Sequence, residues 1–141
     1  MTDPPIRSVR APVVPGRRSR VGLVLIAVLI VGLGLLGRFV LPGAAGDVAG
    51  GLLYAALVYV VAAIVGPAAS VGRLALVALA VVLGLELFQL TGVPAAISDA
   101  FGPARLVLGS TFVVSDLVVG AAGVALMATT DAVLAGPRRA R

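Results

Sequence analysis

Residues 73–91 read RLALVALAVVLGLELFQLT, an arginine followed by an apolar run in which Glu86 is the only charged side chain and Gln89 stands one helical turn further on. The run has the length of a hydrocarbon-crossing helix, for which about 20 residues rising 1.5 Å each cover about 30 Å. A carboxylate at the centre of such a helix costs about 2.5–3.5 kcal/mol on insertion scales. By default it marks a pathway, a ligand or a helix contact.

The rest of the chain has the same character. Its 141 residues are 60% hydrophobic and 12% charged, too apolar to close around a water-soluble surface, so the expected class is an all-α integral membrane protein. Cysteine and histidine are absent. That excludes disulfides, iron–sulfur clusters, thiolate zinc sites and cysteine nucleophiles, and removes the usual proton shuttle and the commonest transition-metal ligand. No metal site and no cofactor is expected. Neither a glycine-rich phosphate loop, a serine-hydrolase elbow nor an inverted duplication is apparent.

Charges divide the chain into apolar intervals of spanning length, which predict a four-transmembrane-helix bundle with spans near 21–41, 48–65, 74–91 and 114–134. These form a domain over residues 21–135. Residues 1–20, with Pro4, Pro5, Pro12 and Pro15 among arginines, read as a disordered basic cytoplasmic tail, and residues 136–141 as a second basic tail. The first apolar run exceeds the 7–15-residue core of a signal peptide, so it is read as a retained span despite the small residues Gly43 and Ala45 beyond it. Residues 106–112, broken by Gly109 and Ser110, read as an approach segment, with Ser115 opening the last helix.

Arginine supplies all eleven basic residues. With both termini in the cytoplasm, Arg7, Arg10, Arg17, Arg18, Arg20, Arg73, Arg138, Arg139 and Arg141 fall inside, and only Arg38 and Arg105 outside. This positive-inside asymmetry supports an N-in/C-in topology and accounts for the net charge of +5 without a nucleic-acid partner. The expected partners are membrane lipids. Pairs of small residues four apart (Gly51 and Ala55, Ala62 and Gly66, Ala80 and Gly84, Ala121 and Ala125) suggest close helix approach and leave the oligomeric state open.

In this topology most non-terminal charges gather on the extracytoplasmic side. Arg38 ends span one, Asp47 opens span two, Asp99 and Arg105 sit in the outer loop, and Asp116 lies in the first turn of span four, where the helix dipole favours an anion. Glu86 is expected about 9 Å below that surface, facing the same way as Gln89. Tyr54 is placed either in this polar pocket or as an interface anchor. The set carries a formal charge of −2, which a retained proton, a recruited cation or a cationic ligand group would offset. Alternatively, Glu86 and Gln89 bond to an arginine, a tyrosine or a carbonyl and hold helices together. Ile97 and Phe101 suggest a short amphipathic turn on the membrane surface.

At these residues a family resemblance emerges. Arg38-Phe39-Val40, Gly46-Asp47, Leu53-Tyr54, Glu86-Leu87-Phe88-Gln89, Arg105-Leu106-Val107-Leu108-Gly109 with Phe112, and Asp116-Leu117 resemble the bacterial membrane proteins of the domain of unknown function 2809 family, over about residues 34–134. The resemblance implies four helices and a bacterial inner or plasma membrane location, and no reaction. More remotely, Glu86 and Gln89, then Arg105, then Asp116 and Gly123 look like the VanZ-like proteins, whose namesake is associated with teicoplanin resistance. Gly120 stands where those chains commonly have asparagine.

The expected function is that of a non-enzymatic envelope or antibiotic-tolerance factor that binds a lipid head group or a lipid-linked or amphiphilic compound. Glu86, Gln89, Arg105, Asp116, Arg38, Asp47 and Tyr54 are its candidate ligand-binding residues, and none is assigned a catalytic role. The alternatives are a small proton- or cation-coupled carrier using Glu86 and an intramembrane enzyme using paired carboxylates.

Overall fold

The computed structural model describes residues 18–108 and 113–135, and only the backbone of Arg105, Leu106 and Ala135. Every regular element among the described residues is helical: α1 (Arg20–Val40), α2 (Ala44–Val65), α3 (Val71–Gln89), α4 (Val93–Ala100), a 3-10 turn (Gly102–Ala104), α5 (Arg105–Leu108) and α6 (Val114–Ala135). Helices α1, α2, α3 and α6 are long and apolar enough to cross a membrane. The chain is thus an all-α, multi-pass membrane protein with four spanning helices. Residues 1–17 and 136–141, read as tails, and the break at Gly109 and Ser110 lie outside the described residues.

Local chemistry sets the helix starts. Ser19 Oγ accepts from the Gly22 amide and Ser70 Oγ from the Arg73 amide, each at 3.3 Å, capping donors that a helix start leaves without partners. With Ser70 as cap, α3 starts at Val71 rather than at 74. Helix α2 starts at Ala44, four residues before the expected 48, so that Asp47 lies inside its first turn. Asp47 and Arg73 bound the apolar intervals without bounding the helices, whose first turns extend past them. Between α3 and α4 the chain reverses at Gly92, whose φ of +73° is left-handed backbone that glycine adopts without steric cost. Thr91 secures this corner by donating from Oγ1 to the Phe88 carbonyl at 2.7 Å and accepting from the Val93 amide at 3.3 Å.

Helices α2, α3 and α6 pack mutually. They bury Ala55, Tyr59, Ala63, Leu74, Ala78, Val82 and Val124 in one cluster. In lipid there is no hydrophobic drive between helices, so close van der Waals approach must hold them. Glycine provides it at two seams. A Cβ on Gly123 would stand 2.7 Å from Ala55 Cβ, and one on Gly51 2.8 Å from Val119 Cγ1, between α2 and α6; one on Gly120 would stand 2.5 Å from Val82 Cγ1, between α3 and α6. Of the anticipated small-residue pairs, Gly51 and Ala55 serve this packing and Ala62 packs against the core. Ala80 and Gly84, and Ala121 and Ala125, are exposed instead. Helix α6 turns Gly120 and Gly123 inward, a face that the four-residue spacing did not pick out.

Helix α1 packs on α2 and buries only Ile30. The short α4, the 3-10 turn and α5 fold across the end of α3, with Pro94 and Ser98 buried and Ile97 and Phe101 exposed. At the opposite end, Arg18 bonds to the α2–α3 turn and to Asp131 near the end of α6. The beginning of α1 and the end of α6 therefore share one end of the bundle.

Candidate functional site

Helices α3 and α6 run antiparallel and meet closely where Val82 faces Gly120. One turn from this crossing, toward the same end, lie Glu86 on α3 and Asp116 on α6, about 6 Å along each helix. The packing thus brings two carboxylates to one level. Glu86 lies within electrostatic range of Asp116, and Tyr54 of α2 within range of Glu86. All three side chains are half-buried. Helix α3 ends at Gln89, three residues past Glu86, or about 4.5 Å.

The case for a site rests on hydrogen bonding. Gln89 Nε2 donates to the Leu108 carbonyl at 3.0 Å, tying α5 to α3. The same side chain's Oε1, and Glu86 Oε2, are buried with no hydrogen-bond partner among the described residues. A buried acceptor left unpaired costs about 1–3 kcal/mol, more when it is charged. Among the described residues, the hydrogen bond that joins this pair to another element is that of the Gln89 amide. For Glu86 Oε2 no such contact exists among the described residues. Asp116 accepts a bond at 3.3 Å from its neighbour, the Ser115 hydroxyl, and Ser115 itself lies in the first turn of α6 rather than before it.

The other expected residues divide differently. Arg38, in the last turn of α1, and Asp47, in the first turn of α2, are exposed and have no ion-pair partner among the described residues. Asp99 is exposed on α4. The Arg105 side chain lies outside the described residues; its backbone opens α5, whose last carbonyl receives the Gln89 amide. The structure brings together Tyr54, Glu86, Gln89 and Asp116, an oxygen-rich set suited to ammonium or hydroxyl groups. Among the described residues no group of three His, Cys, Asp or Glu side chains could hold a metal ion.

Sequence reasoning missed a second polar cluster at the opposite end. Arg18 Nε donates to Asp131 Oδ1 at 2.9 Å, and its Nη2 donates to Oδ2 at 2.8 Å. Tyr59, 2% exposed, donates its hydroxyl to the same Oδ2 at 2.6 Å. Arg18 Nη1 donates to the carbonyls of Pro67 at 3.2 Å and Ala69 at 2.8 Å, and the Arg18 amide also bonds to Pro67. Arg18 and Ser19, assigned to the tail, are thus anchored, and Arg20 is already helical. The available signal was Asp131, an acid inside the apolar stretch of the last span, just as Glu86 is inside the third.

The family model described as "Protein of unknown function (DUF2809)" matches residues 40–124. The matched stretch contains Asp47, Tyr54, Glu86, Gln89, Arg105 and Asp116 and stops short of Asp131. Comparisons with curated proteins and with solved structures gave no match.

Proposed function

We propose, for a chain that belongs to the DUF2809 family of proteins of unknown function, a non-enzymatic role in the bacterial cell envelope: its Glu86 end binds the head group of a lipid or other amphiphilic compound through ammonium or hydroxyl donors. The observation that carries this is the pair of buried acceptors, Glu86 Oε2 and Gln89 Oε1, which no donor among the described residues reaches. A head group bearing N–H or O–H groups would satisfy both, while Asp116 and Tyr54 would bound the site. Arg38 and Arg105 are the groups available to an anionic part of the same ligand. The arginine asymmetry supports putting this end on the extracytoplasmic side of the plasma membrane, and the remote likeness to VanZ-like proteins rests on the same residues.

The test is native mass spectrometry of the protein extracted with bacterial lipid. The wild type should retain an amphiphile, Glu86→Gln should retain at least tenfold less at equal folded protein, and Asp99→Asn, exposed on α4, should match the wild type. A bare wild type, or a Glu86→Gln variant that retains as much, refutes the reading. A second reading, a proton- or cation-coupled carrier, is favoured by the two carboxylates at one level. It requires pH-dependent flux in proteoliposomes that Glu86→Gln abolishes.

A further inference from the structure

Helix α4 is too short to cross the membrane, yet it exposes an apolar face. Its eight residues rise about 12 Å, against the roughly 30 Å of a hydrocarbon core. Within hydrocarbon its first amides and last carbonyls would find no water to bond, so its level is the boundary between lipid and water. The side chains divide the helix into three faces. Pro94 and Ser98, four apart, are buried, on a helix packed against the end of α3, the 3-10 turn and α5. Val93 and Ile97, also four apart, are 45% and 40% exposed, and Phe101, four residues on at the C-cap, is 63% exposed. Asp99, the one charged residue of α4, is exposed two residues past Ile97, about 200° around the helix at about 100° per residue. The exposed apolar side therefore faces away from the charge. The same character begins before the helix, at the exposed Leu87, Phe88 and Leu90 that end a spanning helix, where lipid is the surrounding medium.

We propose that the face made by Val93, Ile97 and Phe101 docks on the lipid leaflet at the Glu86 end, with α4 lying along the interface, these side chains among the acyl chains and Asp99 turned to water. Interfacial helices bury an apolar face about 5–10 Å into the boundary between head groups and acyl chains. The contact fixes more than α4. Through the 3-10 turn the chain enters α5, whose Leu108 carbonyl accepts the Gln89 amide, so the leaflet holds in place the segment that touches Gln89. It requires no ligand at Glu86.

The chain has no cysteine, so a nitroxide can be attached to a cysteine introduced at one position at a time, in full-length protein reconstituted into phosphatidylcholine vesicles. Oxygen concentrates in hydrocarbon and a nickel chelate stays in water. The ratio of their collision rates, read by power saturation in electron paramagnetic resonance, reports which medium each side chain meets. Val93→Cys, Ile97→Cys and Phe101→Cys should each give an oxygen-to-nickel ratio at least fivefold that of Asp99→Cys, toward the value of Leu76→Cys, 68% exposed on the spanning helix α3. Each variant replaces one exposed side chain, so if one fails to accumulate the other two carry the result. Labels at Ile97 and Phe101 as open to nickel as the label at Asp99 would put the face in water. Labels shielded from both reagents would put it against protein, whether a second copy or another segment. Either result overturns the proposal.

Discussion

Gly123→Ala isolates the contact on which the core depends. The added methyl would sit 2.7 Å from Ala55 Cβ, 3.1 Å from the Leu52 carbonyl oxygen and 3.3 Å from Leu52 Cα. Carbon atoms pack best at about 3.5–4.0 Å, so the two helices must separate by about 1 Å. No rotamer relieves this, because two of the three neighbours are backbone and Ala55, fully buried, has nothing to rotate. Overpacking of this kind costs about 1–3 kcal/mol, or roughly five- to 150-fold in the folding equilibrium at 1.4 kcal/mol per decade. Equilibrium unfolding in mixed micelles titrated with sodium dodecyl sulfate, followed by circular dichroism, would read it. Gly84→Ala is the control: nothing lies within 4 Å of its Cβ position, and removing glycine's backbone freedom should raise helix stability by about 0.5–1 kcal/mol. A Gly123→Ala variant as stable as the wild type, or a Gly84→Ala variant equally weakened, refutes the claim that close approach at this seam holds the bundle.

Glu86→Leu should gain about 1–3 kcal/mol of stability by removing a buried acceptor without a donor, while losing the retained amphiphile; a destabilised variant would mean that Glu86 holds helices together. Tyr59→Phe should cost about 1.5–3 kcal/mol in the same titration, the worth of a hydrogen bond to a charged group, and a neutral result would mean that the Asp131 network does not depend on Tyr59. Gly92→Ala forces a side chain into left-handed backbone at about 1–2 kcal/mol and should expose the α4 segment to limited proteolysis ahead of the spans. Asp116 and Asp131 stand fifteen residues apart on α6, about 22 Å, so Glu86→Gln and Asp131→Asn should add within about 0.5 kcal/mol; a larger deviation would show that α6 couples its ends.

The spans were legible because hydrocarbon thickness is a composition-level constraint: twenty apolar residues between charges leave little choice of structure. That Glu86, Gln89 and Asp116 lie near one another was legible too, since antiparallel spans bring the end of one beside the start of another, whereas the sequence left Tyr54 open between this set and the interface. Helix ends were less so, because Ser70 and the corner at Gly43 act through local hydrogen bonds and backbone angles that hydropathy does not register. Arg18 escaped for a related reason. As one of nine basic residues assigned to one side it was a topological marker, and only the packing of α6 against α2 shows that Asp131 and Tyr59 converge on it. Arg38 stands apart from the Glu86 set because α1, which carries it, lies against α2 rather than α3, and Asp47 because it is exposed in the first turn of α2, seven residues or about 10 Å before Tyr54.

The two polar clusters invite opposite explanations although they are made of similar parts. Helix α2 gives a tyrosine to each and α6 an aspartate to each, yet at the Arg18 end each carboxylate oxygen of Asp131 has a donor, while at the Glu86 end two buried acceptors have none among the described residues. In surroundings of low dielectric a satisfied network rigidifies, and an unsatisfied one is destabilising unless something outside the protein completes it. Stability alone would therefore retain the first and discard the second. That asymmetry is the physical ground for seeking the ligand at Glu86, and for expecting variants of Asp131 to alter how the helices are held rather than what they bind.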